Sequence, residues 1–307
     1  MSARPCRRYN PSWAWSATMT HAIRDLPRLP RRNAAGHKGT YGKVLVVAGS
    51  RGMSGAAVLC GRAALRGGAG LVQVACPQNV QDVVAGAYPA YTTYGIRQHA
   101  DGTFGDGAAE EVVELASGAD AVVIGPGLGR AEPTVRLVLR LLADLTAPVV
   151  LDADGLFAVS PFGEEFVRRT APLVLTPHPG EFARLTGKAV PATDAEREEQ
   201  AIASANTFGG VMLLKGAGTV VTDGTRVYRN ATGNPGMGTG GTGDVLAGVI
   251  AALIGQGLKA FDAAVLGAWV HGRAGDLGAA ALGQTALTAP DLLDHLPAAF
   301  KELESHW

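Results

Sequence analysis

Residues 233–257 read GNPGMGTGGTGDVLAGVIAALIGQG. Six of the first eleven positions are glycine, an acid follows at Asp244, and an apolar run continues from Val245 to Leu258. That run is too short to span a bilayer and predicts a buried helix. Glycines leading into a helix start leave N–H groups free to converge on an anion, and the helix dipole favours negative charge there. Asp244 falls in the first turn and faces whatever occupies that position. GMGTGG and GTGGTG both match G-x-G-x-x-G, but no clean strand precedes them and no ribose-binding acid follows, so a dinucleotide fingerprint is weakly supported. A flexible loop with an acidic first-turn residue is the plain alternative; the glycine density favours phosphate binding.

Working outward, Lys43–Gly49 (KVLVVAG) is a Val-rich apolar run followed by a Gly/Ser turn and a helical stretch at Gly55–Arg66. Further apolar runs occur at Gly70–Ala75, Ala119–Ile124, Pro148–Leu151 and Pro172–Leu175, with helical segments at Gly107–Ser117 and Pro133–Leu145. Continuous apolar strands alternating with helices predict a parallel sheet covered on both faces. Val211–Leu214, Thr219–Thr222 and Arg226–Tyr228 lie too close together for crossovers and predict an antiparallel meander. Two more helices follow at Gly243–Ile254 and Phe261–Leu277. No composition break appears after residue 42, so one three-layer domain over 37–307 is expected, preceded by a poorly ordered tail at 1–36.

Composition narrows the function classes. Twenty-seven basic and 27 acidic residues balance in 307, which argues against nucleic acid as the main partner. Cys6, Cys60 and Cys76 form neither a disulfide framework nor a zinc pattern, so a cytoplasmic setting is expected. The first 38 residues hold eight basic residues and one acid with no apolar core, so a secretory signal is not expected; Met19 is an alternative start. Glycine is the deviant count, 42 residues against a usual share of about 7%, and implies tight turns and backbone closely approached by a ligand.

The run TGGTGDVLAGVIAALIGQG resembles the signature of the ribokinase-like fold. So do HKGTYGKVLVVAGS (37–50), SGAAVLCGRAALRGGAGLV (54–72), GPGLG (125–129), VLDADGL (150–156), LTPHPGEFARL (175–185) and LLKGAGTVV (213–221), in consistent order. Together they resemble the ADP/ATP-dependent NAD(P)H-hydrate dehydratase family over roughly residues 37–295. The resemblance implies a ribokinase-like three-layer αβα sandwich with a mostly parallel sheet and an antiparallel edge. It implies repair of (6S)-hydrated NADH or NADPH by phosphorylation of the hydroxyl and loss of phosphate, with ADP or ATP as co-substrate and Mg²⁺.

Residue by residue, the likeness places Ala56, Gly127, His178 and Asp244 at the substrate, with Asp244 as the base. It assigns Lys215, Gly216, Ala217, Gly218, Thr219 and Gly243 to the adenine nucleotide, and Gly241, Thr242 and Gly243 to the anion hole. Local chemistry runs alongside. Pro179 and Glu181 suit the start of a helix, placing His178 near its N-cap. Lys215 beside two glycines offers an ammonium and backbone amides, although a plain hairpin loop reads the same way. Asp152 and Asp154, at a strand's carboxyl end, either reach Mg²⁺ through water or cap the next turn.

The resemblance also implies a homo-oligomer (a tetramer) and a separate epimerase activity, since 36 residues before His37 are too few for the epimerising domain fused to some relatives. A kinase of the same fold acting on a vitamin-precursor alcohol is the nearest alternative. A non-catalytic nucleotide sensor would need no base, and Asp244 argues against it.

Overall fold

The computed structural model describes residues 20–160, 169, 171–189 and 193–305. Cys6, Met19 and the first 19 residues of the expected tail therefore lie outside the described residues. His21–Ile23, within that tail as the sequence reads it, forms a short edge strand, β1, paired in parallel with a late strand of the sheet.

The apolar runs become strands, each within two residues of its expected bounds: β2 (Lys43–Val47), β3 (Leu71–Pro77), β5 (Ala121–Ile124), β6 (Val149–Leu151), β7 (Leu173–Leu175), β8 (Val211–Leu214), β9 (Val220–Thr222) and β10 (Arg226–Arg229). β4 (Thr92–Ile96) is an edge strand that the sequence pattern leaves unmarked. The order across the sheet is β1-β10-β9-β8-β7-β6-β5-β2-β3-β4. Among the described strands only β9 runs against its neighbours, so the expected meander forms the antiparallel part near one edge.

Alternation along β2 shows why both faces must be covered. Val44 and Val46 enter one hydrophobic cluster, whereas Leu45 and Val47 enter the other. The first face carries α1 (Ser54–Arg66), α2 (Gln81–Ala87), α8 (Thr242–Gly255), α9 (Ala260–Leu282) and α10 (Ala289–Ser305). The second carries α3 (Ala108–Leu115), α4 (Glu132–Asp144), α5 (Asp154–Val159), α6 (Pro179–Thr186) and α7 (Asp194–Phe208). All ten residues from Val245 to Ile254 are buried, as the length of that apolar run requires. Each fully buried Val, Leu or Ile there contributes about 1.5–3 kcal/mol relative to exposure. Among the described residues, no helix is long and apolar enough to cross a membrane.

Strands leave β2 in one direction toward β4 and leave β5 in the other toward β8, so the order reverses between β2 and β5. Loops at the carboxyl ends of strands on either side of such a reversal leave a crevice for ligands. The GPGLG loop follows β5 at that position, and the LDAD, PHPGE and KGAGT segments follow β6, β7 and β8 along the same edge.

Candidate active site

Backbone contacts at the reversal show why glycine is required. Gly127 has φ +62, and a Cβ there would lie 2.9 Å from the Ala56 side chain at the start of α1. The two residues expected at the substrate are thus neighbours. Gly125 is tighter still: its Cβ would fall 1.7 Å from the Asp152 carbonyl oxygen. The buried Ser50 hydroxyl donates to Gly127 O at 2.8 Å, and Gly49 N donates to Pro126 O at 2.8 Å. Ser50 lies in the turn after β2, and its partner, 77 residues along the chain, is not marked by any local pattern.

Asp152 and Asp154 flank Ala153, whose φ of +48 is unfavourable for a residue with a Cβ. That turn aims the two carboxylates in different directions. Asp154 accepts from Gly129 N at 3.0 Å and from Arg130 Nε at 2.9 Å, so it ties down the GPGLG loop. Asp152, 1% exposed, accepts from the Thr176 hydroxyl and from Lys215 Nζ, both at 2.8 Å. Lys215 also faces Glu181 at 3.8 Å. Burial opposes its charge, but Asp152 and Glu181 outweigh that and hold its pKa above the ordinary value. The ammonium, expected to be offered to a nucleotide, is therefore anchored on Asp152, and Lys215 N donates to Pro177 O at 2.9 Å.

Both carboxylates expected at Mg²⁺ are engaged by protein donors, and no group of three His, Cys, Asp or Glu side chains is placed to hold a metal among the described residues. This donor set suits an ion held by phosphate and water rather than by a protein cage.

His178 is the N-cap of α6, in a reciprocal capping box with Glu181. Its Nδ1 accepts from Gly180 N at 3.0 Å and Glu181 N at 3.4 Å, so the ring proton belongs on Nε2 of an exposed imidazole. The cap uses Nδ1, and Nε2 lies 3.5 Å from Glu181 Oε1, so the expected ligand role would share that nitrogen with Glu181.

α8 brings its N-terminus to the same place. Gly241 is its N-cap with φ +90, and Thr242, Gly243 and Asp244 form its first turn. A Cβ on Gly243 would lie 3.2 Å from Lys215 Nζ and 3.6 Å from Asp152 Oδ2. Burial, then repulsion from Asp152, raises the Asp244 carboxyl to about 7; Lys215 lowers it, and Asp154 and Glu181 add smaller rises. A carboxyl near 7 can accept a proton at neutral pH, which an ordinary aspartate does poorly.

Residues from α9 fix this arrangement from behind. His271 Nε2 lies 2.9 Å from Thr242 O, and because a carbonyl only accepts, Nε2 carries the proton. Burial lowers His271 to about 4, so it is neutral at pH 7. Asp276 accepts from Gly233 N and Asn234 Nδ2, each at 3.0 Å, and Thr232 Oγ1 donates to Trp269 O at 2.9 Å. The glycine-rich segment is thus docked on α9, a connection to which its local sequence gives no clue.

The model of the NAD(P)H-hydrate dehydratase family matches residues 44–298. A bifunctional NAD(P)H-hydrate repair enzyme of Moorella thermoacetica is 47% identical over 279 residues, covering 90% of this chain and 52% of that protein. Another from Thermofilum pendens is 44% identical over 276 residues, with 90% and 53% covered. The chain spans about half the length of the curated relatives it matches. An ADP/ATP-dependent NAD(P)H-hydrate dehydratase of Bacillus subtilis, co-crystallised with ATP and Mg²⁺, aligns with a TM-score of 0.78 at 33% identity, covering 90% of this chain and 94% of that one. The ribokinase-like expectation for the fold is met in that alignment. With a match extending across most of its length, the chain belongs to the NAD(P)H-hydrate dehydratase family.

Proposed function

We propose that this protein restores hydrated NADH or NADPH by phosphorylating the ring hydroxyl and eliminating phosphate, with ADP (or ATP) as donor. The observation that carries the reading is Asp244, raised to about 7 within the first turn of a helix whose glycine-rich start faces the site. A base and an anion hole on one helical turn suit transfer of a phosphoryl group to a hydroxyl.

The hydrated nicotinamide lies in the crevice of Ala56 and Gly127, with His178 Nε2–H presented to it. The ionised Asp244 orients the hydroxyl and takes its proton as the oxygen attacks the terminal phosphorus of the donor. The bond from that phosphorus to the leaving nucleotide breaks, releasing AMP from ADP. Amides of Gly241, Thr242 and Gly243 hold the transferring oxygens, while Lys215–Thr219 holds the nucleotide. The ring nitrogen's lone pair then expels phosphate, and loss of a proton from the neighbouring carbon restores the double bond. Asp152 and Asp154 would reach a magnesium ion through water, and the ion would supply neutralisation of the donor phosphates' charge. A cytoplasmic setting, a homo-oligomeric state and an accompanying epimerase activity on the other hydrate epimer belong to this proposal.

Asp244→Asn tests it: turnover is expected to fall by about 10²–10⁴ while ADP still binds. Near-normal turnover in that variant would remove Asp244 from the mechanism.

A further inference from the structure

The KGAGT loop after β8 presents an unusual division of its backbone groups. Three successive carbonyls are tied by side-chain donors: Lys215 O and Ala217 O accept from Arg197, at 3.4 and 2.7 Å, and Gly216 O accepts from the Thr219 hydroxyl at 2.9 Å. Among the described residues, the amides of Gly216, Ala217 and Gly218 have no hydrogen-bond partner. The loop therefore keeps its acceptors turned inward and its donors free, as an anion-binding concavity requires.

Arg197 belongs to the first turn of α7, on a different element and about 20 residues before the loop. Its side chain is 12% exposed, and its nearest carboxylate, Asp194, stands 3.9 Å away and is itself 67% exposed. Asp194 also pairs with Arg229, which bonds Glu198 at 3.3 Å. The Arg197 charge is thus only loosely balanced, and it sits directly behind the loop. Its contact is close: a Cβ on Gly216 would lie 2.8 Å from Arg197 Nη2.

From this geometry we infer that Arg197 is the positioning residue of the nucleotide loop. Its planar fork holds the carbonyls of Lys215 and Ala217 so that the intervening amides face the donor's phosphates. The inference rests on the proposed nucleotide role of Lys215–Thr219. It adds that affinity for the donor, and not for the hydrated nicotinamide, depends on a side chain outside that loop. A lysine cannot replace the fork, because a point ammonium does not span two carbonyls in a fixed plane.

The test is steady-state kinetics on the full chain with ADP and hydrated NADH, for Arg197→Lys, Arg197→Met and the loop variant Gly218→Val. ADP titration calorimetry on each protein gives binding independently of turnover. Loss of the charged hydrogen bonds is expected to raise KM and Kd for ADP roughly tenfold in Arg197→Met and by less in Arg197→Lys. KM for the hydrate stays within about twofold in both, since the crevice of Ala56 and Gly127 is built separately. Unchanged ADP affinity in both Arg197 variants, with affinity reduced in Gly218→Val, overturns the inference and leaves the loop assignment standing. Unchanged affinity in all three removes the loop assignment and the inference together. Parallel loss of both KM values would mark Arg197 as a general structural residue and would also overturn the inference.

Discussion

Asp244 carries opposite demands on one side chain. Burial and the neighbouring Asp152 lift its carboxyl from 3.8 to about 7, which suits a base but disfavours the ionised form in the folded protein. Between those two values the folded protein holds a proton that the unfolded chain has released. Its contribution to stability is fully present below 3.8 and is lost as pH rises through about 7. In the proposed mechanism catalysis runs the other way, since only the ionised form accepts a proton, so turnover is expected to rise with pH through about 7. A pH–rate profile on saturating substrates checks this, and a flat profile from pH 5 to 9 would contradict it. Asp244→Asn removes the buried charge, so its melting temperature at pH 8 should exceed the parent's by about 2 °C or more. At this scale the sequence was informative where a residue's placement is local, as with Asp244 in the first turn of α8 and His178 at the N-cap of α6. It was silent where the partner lies far along the chain: Asp154 with Gly129, Ser50 with Gly127, and Arg197 with Ala217.

The decisive pair of elements is α8 and α9. The first is proposed to supply the anion hole; the second supports its first turn through His271, whose Nε2 lies 2.9 Å from Thr242 O. His271→Ala removes the donor to Thr242 O and is expected to lower turnover about tenfold. His271→Gln, whose amide can still donate, should recover part of it. Equal kinetics for the parent and His271→Ala would show that α8 needs no such support. The elements that were legible share a cause, since a central strand buried on both faces must be a continuous apolar run. β4 was not, because TTYGI lies at an exposed edge and mixes threonine and glycine into the pattern. β1 has only three residues, and α7 opens with DAEREEQ, whose charges hide its apolar face. α10 carries Pro297 within the helix, which breaks the usual reading.

For the molecule as a whole, strand order was the least legible feature, because nothing in one strand names its neighbour. The family resemblance implied a mostly parallel sheet with an antiparallel edge but no order, and the reversal between β2 and β5 explains why the motifs meet. The glycine excess is part of the same design: at Gly125 and Gly127 the strand ends approach too closely for a side chain. Since the donor is proposed to bind loops from several parts of the fold, ADP at 100 times its Kd should stabilise the folded protein by about 2.7 kcal/mol. A thermal melt with and without ADP reads this directly, and an unchanged melting temperature would contradict donor binding. The most direct test of the central claim is the reaction itself. Purified protein is mixed with hydrated NADH and ADP, and recovery of the near-ultraviolet absorbance of NADH is followed together with inorganic phosphate. The account predicts that the two appear in equal amounts and that neither appears without the donor; accumulation of a stable phosphorylated alcohol, with no recovery of absorbance, would contradict it and make the protein a kinase.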